Sequence, residues 1–237
     1  MINHYPAAAL GHGDHGWLKS RFHFSFADYH NPARVRFGRL RVINDDWIAA
    51  GSGFDPHPHQ NMEIITYVRS GAVLHRDSLG NSGRTGAGDV QVMSAGTGIT
   101  HAEYADPAVD TTLFQIWIFP DVRDVAPRWE QAAFAKEPVD DRLRLLVSGD
   151  RADAAAGALF IHAPSRIYGG VMAPGHSLTH IAQGPVYAVM SAGSVRLNGV
   201  DMMVGDGAEI TDIAALELVA GAEGAEILLI EQPEMPA

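Results

Sequence analysis

The chain of 237 residues reads as an all-β protein of two antiparallel β-barrels in tandem, and three observations predict it. Short apolar runs such as "RLRVIND", "MEIITYV", "DVQVMSA", "TTLFQIWIFP", "RLRLLVS", "VYAVMSA" and "EILLIE" recur between turn signals, with 25 glycines and 13 prolines spread along the chain. One segment breaks this rhythm: in "APRWEQAAFAKEP", residues 126–138, Pro127 suits a first helical turn and Pro138 a stop, so a short helix or linker is expected. The halves on either side resemble each other.

The resemblance of the halves is carried by their turns. "YVRSGAVLHRDSLGNSGRTGAGDVQVMSAG" (67–96) parallels "YAVMSAGSVRLNGVDMMVGDGAEITD" (187–212). Gly71 aligns with Gly193 at an offset of 122, and Gly88–Asp89 with Gly205–Asp206 at 117, so the second hairpin is five residues shorter. The expected organisation is a metal-binding barrel over 1–125, a linking segment over 126–138 and a second barrel over 139–237.

Composition narrows the function. A chain 46% hydrophobic and 19% charged can bury an ample core. A net charge of -11, with no basic run longer than two residues, would repel a phosphate backbone and disfavours direct nucleic-acid binding. The absence of cysteine excludes disulfides and thiolate chemistry, leaving histidine and carboxylate as metal ligands. The start "MINHYPAAALGHGDHG" lacks a basic region before an apolar core, and no apolar run approaches bilayer length, so a cytoplasmic protein with no membrane partner is expected.

The stretch "GFDPHPHQNMEIITYVRSG" (53–71) places His57 and His59 either side of a proline. In an extended chain alternate side chains share a face, so both imidazoles can meet one ion. "EIITYV" alternates little and reads as a strand covered on both sides, which points the pair into an interior. A second stretch, "SAGTGITHAEYAD", sets His101 and Glu103 two apart in the same way. Three imidazoles and one carboxylate suit Fe(II), Mn(II), Ni(II), Cu(II), Co(II) or Zn(II), with open positions for substrate or dioxygen. Glu63 shares the parity of His57 and His59.

The remaining polar groups are read more plainly. His12, His15, His23 and His30, at spacings of 3, 8 and 7, fit no single strand face and are taken as loop and capping groups. His75, in "LHRDSLGN", is given a structural role at a hairpin. Gln115, an amide inside "LFQIWIF", needs a polar partner that a metal site would supply. Phe54, Met62, Met93, Phe114 and Trp117 are placed either to line a flat pocket or to pack the core. The repeat offsets put Thr179, Ile181, Leu218 and Ala220 where His57, His59, His101 and Glu103 stand, so the second barrel is expected to lack metal ligands, with His176, His180 and His162 as satisfied polar or surface residues.

Taken in order, "HPHQNMEIITYVRSG", "HRDSLGN", "GDVQVMSAGTGITHAE" and "QIWIFP", preceded by "HGWLKSRFHFSFADYHNP", resemble the signatures of the pirin family of the cupin superfamily, which includes pirin-like quercetin 2,3-dioxygenases. The likeness covers nearly the whole N-terminal half; beyond it only the "GD" hairpin and the tandem pattern support it. The resemblance implies a bicupin of jelly-roll-type barrels and one divalent ion, most often Fe(II), held by His57, His59, His101 and Glu103. In the general cupin pattern Glu63 would be a ligand; here it is left to hydrogen-bond an imidazole or to pair with an arginine. The implied activity is a dioxygenase that opens flavonols such as quercetin with O2 and releases carbon monoxide, with Glu103 as general base. The alternative implied by the same family is an iron- or redox-responsive regulatory protein that engages a protein partner.

Overall fold

The computed structural model describes residues 1–232. Its strands follow the apolar runs. In chain order they are β1 (Ile2–Tyr5), β2 (Gly11–Asp14), β3 (Leu18–Phe22), β4 (Leu40–Ile48), β5 (Gly53–His59), β6 (Glu63–Ser70) and β7 (Ala72–Asp77). There follow β8 (Ser82–Gly86), β9 (Val90–Ser94), β10 (Ile99–Ala105), β11 (Thr111–Ile118), β12 (Arg128–Ala132), β13 (Arg144–Ser148) and β14 (Leu159–Phe160). The last are β15 (Arg166–Met172), β16 (Ser177–Ile181), β17 (Val186–Leu197), β18 (Val200–Met203), β19 (Gly207–Ile210) and β20 (Ala215–Glu231), with one short helix, α1 (Arg151–Ala155).

Two compact units result. The first comprises residues 11–135 with 159–163, and the second comprises 1–10, 136–158 and the chain from 164 onward. The first ten residues therefore leave the N-terminal barrel to which a boundary at 125 assigns them. The cause is pairing across almost the whole chain: β1 aligns antiparallel with β19, Ile2 opposite Ile210 and Tyr5 opposite Gly207. Asp206 secures it, meeting His4 Nε2 at 2.8 Å and accepting from the Ala7 amide at 2.7 Å.

The expected short helix or linker at 126–138 is also corrected. Residues 128–132 form β12, paired antiparallel with β9 so that Trp129 lies opposite Met93. The period is two: Trp129 packs into an apolar cluster with Ile64 and Met93, and Gln131 accepts from Thr85 Oγ1 at 2.9 Å. Pro127 precedes the strand, where a missing N–H removes no ladder bond.

In the first unit a seven-stranded sheet of order β12-β9-β6-β11-β4-β3-β2 and a four-stranded sheet of order β5-β10-β7-β8 form a jelly-roll-type pair of open antiparallel sheets, not a closed barrel. As its unbroken apolar run requires, β6 is buried from Glu63 through Val68. The second unit orders its sheet β1-β19-β17-β20-β15-β13, with β16 on β20 and β18 on β17. Its main apolar cluster gathers Val186, Met190, Leu197, Leu216, Leu218 and Ile227, each fully or nearly fully buried. Among the described residues, no helix is long and apolar enough to cross a membrane.

The internal repeat is visible as one turn built twice. Gly88 N donates to Val68 O at 2.7 Å and Val68 N to Asp89 O at 3.2 Å; Gly205 N donates to Met190 O at 2.9 Å and Met190 N to Asp206 O at 3.1 Å. Gly71 and Gly193 share φ values of +74° and +66°. A Cβ would lie 2.5 Å from Asp110 O at Gly71 and 2.1 Å from Gly224 O at Gly193, so backbone approach as well as φ demands glycine. Gly80, at φ +89°, has nothing within 4 Å of its Cβ position. Urea unfolding should therefore rank Gly71→Ala and Gly193→Ala as losing clearly more than Gly80→Ala, which carries only the ~1 kcal/mol scale of a strained φ.

Candidate metal centre

The site is assembled on β10, which lies between β5 and β7. His101 stands opposite His57 on one side and Asp77 on the other; Glu103 stands opposite Phe54 and His75, a bulge between His101 and Glu103 shifting the register toward β5. His59 lies two residues beyond His57 on the same strand face. The three imidazole centroids are separated by 4.9 Å (His57–His59), 4.5 Å (His57–His101) and 5.0 Å (His59–His101). Ligating atoms of His57, His59 and His101 lie within 4.8 Å of one another, as do those of His75, His101 and Glu103, so Glu103 adjoins the trio through His101.

The donor chemistry fits a divalent ion. His59 Nε2 and both ring nitrogens of His101 are buried with no protein partner. Buried polar atoms left unpaired cost about 1–3 kcal/mol each, and a cation set among the rings would take one nitrogen from each of His59 and His101. His57 donates from Nδ1 to Asp55 O at 2.8 Å, which leaves Nε2 as the lone-pair nitrogen. Burial, helped by the neighbouring His57, lowers the His59 pKa to about 4. Burial and then the charges of His57, His59 and His75 lower that of His101 to about 2. Both rings therefore stay neutral and able to coordinate at physiological pH.

Glu103 is held by amides and a hydroxyl. Its Oε1 accepts from Gln91 Nε2 at 2.6 Å and Thr66 Oγ1 at 3.2 Å, and its Oε2 from Gln115 Nε2 at 3.0 Å. These donors form a row across the seven-stranded sheet, with Asn44 opposite Gln115, Gln115 opposite Thr66 and Thr66 opposite Gln91. Gln115 thus has the polar partner its burial requires. Gln91, Thr66 and Asn44 went unnoticed in the sequence although they carry the same signal, a polar residue at an inward position of an apolar strand. Burial pushes the Glu103 carboxyl above the usual carboxylate range, only partly offset by His75 and these hydrogen bonds.

His75, expected to be structural, belongs to the site. It is buried, stacks on Trp129 at 4.7 Å and 7°, and meets Asp77 Oδ2 through Nε2 at 3.1 Å, leaving Nδ1 without a partner and its ring 5.4 Å from His101. Burial works to raise the Asp77 pKa, but hydrogen bonds from Asn81, His75 and the amides of Asn81 and Leu79 hold it low. A charged Asp77 keeps the His75 proton on Nε2.

Glu63 lies elsewhere. Asn61, at φ +49°, turns the chain between β5 and β6, so the shared parity with His57 and His59 is lost. Ile64 lines the cavity and Thr66 reaches Glu103, which leaves Glu63 on the opposite face of β6. There it accepts from Ser94 Oγ at 2.7 Å and from the His162 amide, with Arg128 near enough to act on its charge. Of its two expected roles, hydrogen bonding to an imidazole is ruled out by this placement.

The imidazoles open on a cavity of about 450 Å³ walled by Trp17, Phe22, Phe26, Phe54 and Trp117. Phe54 and Trp117 line it as expected. Met62 and Met93 pack with Trp117 in an apolar cluster, and Phe114 lies under the Arg69 guanidinium at 4.8 Å, outside the cavity lining. The N-terminal aromatics were missed, as was His15, also at the wall.

In the second unit Leu178 stands opposite Leu218, the counterpart of His57 opposite His101 and one residue from the position the offsets indicate. His180 Nε2 meets Glu231 Oε1 at 2.8 Å, and His176 Nε2 meets Asp140 O at 2.6 Å, so both are satisfied polar residues.

Asp46 is a second perturbed acid of the cavity. Burial above all, with the charges of Asp45 and Glu103 and against a hydrogen bond from Ser20, raises its pKa to about 7. The folded state thus holds a proton that the unfolded chain releases near pH 4, and stability falls as pH rises from about 4 to 7. Asp46→Asn removes that loss. Urea titrations should show the variant gaining little on the parent at pH 4 and progressively more toward pH 7.

Two family models match the chain, Pirin over residues 4–118 and the quercetinase C-terminal cupin domain over 145–232. The chain is 51% identical over 233 residues to a Pseudomonas aeruginosa relative, covering 98% of this chain and 99% of that one. It is 41% identical over 236 residues to the quercetin 2,3-dioxygenase of Escherichia coli, covering 98% and 99%. Its fold matches the crystal structure of a bacterial pirin from Escherichia coli in complex with nickel(II), at a TM-score of 0.91 and 40% identity over 99% of this chain and 100% of that one. With a two-unit cupin fold, a histidine cluster suited to a metal ion and relatives matched along nearly its whole length, the chain belongs to the pirin family.

Proposed function

We propose that the protein is a metal-dependent dioxygenase that opens flavonols such as quercetin, inserting both atoms of O2 and releasing carbon monoxide, with one divalent ion held by His57, His59, His101 and Glu103. The observation that carries this reading is the meeting, in one aromatic-walled cavity, of unpartnered neutral imidazole nitrogens with a carboxylate whose burial makes it more basic. The resemblance favours Fe(II), and the nickel complex of the Escherichia coli pirin supports a site that accepts other mid-series ions. The cavity volume falls within the roughly 300–1,000 Å³ typical of small-molecule sites.

When bound, the ion supplies positive charge that lowers the pKa of a flavonol hydroxyl set against it. The chain's own residues manage the proton. Glu103 Oε1 already accepts two hydrogen bonds and Oε2 one, so the one acceptor position left on Oε2 would hold the ion or, once the carboxylate lets go of it, take the hydroxyl proton as general base. Gln91, Gln115 and Thr66 hold the carboxylate in place while it does so. Trp17, Phe54 and Trp117 offer apolar faces to a flat substrate and keep water from the electron-rich ring.

Elemental analysis of protein reconstituted with Fe(II) should find about one ion per chain, and His57→Ala combined with His101→Ala should lose it. With quercetin and O2, loss of flavonol absorbance should match carbon monoxide release. Glu103→Gln keeps shape and an oxygen donor, so it should retain most of the metal while turnover falls by about 10²-fold or more. Full turnover in metal-loaded Glu103→Gln would remove Glu103 as the base, and metal-loaded parent protein without carbon monoxide release would overturn the activity.

A further inference from the structure

The polar row that steadies Glu103 does not stop there. Beyond Gln115 it reaches Asn44, and two residues along β4 on the same face lies Asp46, opposite Ser20 of β3. Asn44 and Asp46 are 4% and 3% exposed and both line the cavity that holds the imidazoles. The Oδ1 atom of each is buried without a partner. Satisfying Glu103 requires Gln115, Thr66 and Gln91 and neither of these two, so their cost in the folded chain is unexplained by the metal centre.

We propose that Asn44 and Asp46 are specificity-determining residues whose side-chain oxygens receive phenolic hydroxyls of a flat, multiply hydroxylated aromatic substrate and select it over the same ring system without them. The surroundings suit this class: Trp17, Phe22, Phe54 and Trp117 give the ring its apolar faces, and the two oxygens are polar points on an otherwise aromatic wall. An Asn Oδ1 can only accept, so it calls for an O–H or N–H. Burial that holds the Asp46 carboxyl near neutrality lets it meet a hydroxyl as acceptor or donor. A site built to hydrogen-bond a hydroxyl rejects the analogue that leaves its buried groups unpaired, which makes about ten-fold the least discrimination expected. The substrate class rests on the flavonol reading above; the binding test does not depend on turnover.

Metal-loaded full-length protein, titrated without oxygen, should bind quercetin at least ten-fold more tightly than 3-hydroxyflavone, which keeps one hydroxyl on the same rings. Asn44→Leu and Asp46→Leu should each narrow that ratio to about three-fold or less with metal retained, and Asp46→Asn, which keeps an oxygen, should preserve most of it. A parent protein that binds both flavonols equally or neither, a ratio unchanged in both leucine variants, or a narrowed ratio that comes only with loss of metal would overturn the assignment. If a leucine variant fails to fold, the parent ratio and Asp46→Asn still decide it. Carbon monoxide release then separates the two readings: discrimination without turnover in oxygen sinks the dioxygenase alone, and equal turnover of both flavonols by parent and variants sinks the specificity assignment alone.

Discussion

The pairing of β10 with β5 on one edge and β7 on the other is the constraint on which the site depends. That register brings His101 beside His57 and Glu103 beside His75, and it does so with backbone hydrogen bonds that are indifferent to the side chains they carry. The bulge between His101 and Glu103 slides the ladder by one residue on the β5 side alone, so Glu103 meets Phe54 where continuous pairing would bring Asp55. A regular ladder would have set a second carboxylate against Glu103. The irregularity replaces that repulsion with an aromatic wall.

Burying this cluster costs free energy, and the fold answers it in two ways. Glu103 is answered by protein donors drawn from three strands of the opposing sheet, so its orientation does not depend on an ion. His59 and His101 are answered by staying neutral, since burial and one another's proximity lower their pKa values far below 6.5. The carboxylate is thus fixed in advance and the imidazoles are left open, which is the division of labour a binding site needs: a rigid carboxylate beside free lone pairs.

Much of this was legible in the sequence because it obeys the period of two. His57 with His59, and His101 with Glu103, are pairs within single strands, and Gln115 betrayed itself as an amide in an apolar run. Glu63 was misplaced because parity counts only while the strand continues, and Asn61 turns the chain before Glu63 is reached. The short helix or linker expected at 126–138 yields to β12: its prolines suit helix punctuation, whereas the shared face of Trp129 and Gln131 makes sense only once β9 lies alongside. The places of β1, His75, Trp17 and Phe22 depend on contacts between segments far apart in the chain, which no local pattern encodes.

The two units show how little of the frame specifies chemistry. Both build the same Gly-Asp turn with the same pair of backbone hydrogen bonds, and both need a glycine where the next turn presses on a carbonyl. Yet where one sets His57 against His101, the other sets Leu178 against Leu218 within an apolar cluster. A leucine pair at that register needs no compensating donors, and among the described residues of the second unit the positions opposite one another on β17 and β20 include Val189 with Leu228 and Ala188 with Leu229, all buried and apolar, where the first unit has the row of Gln115, Thr66 and Gln91. The polar row is therefore a consequence of the buried carboxylate and no requirement of the fold. By the same logic, the two members of that face whose oxygens Glu103 leaves unanswered, Asn44 and Asp46, call for a cause other than folding.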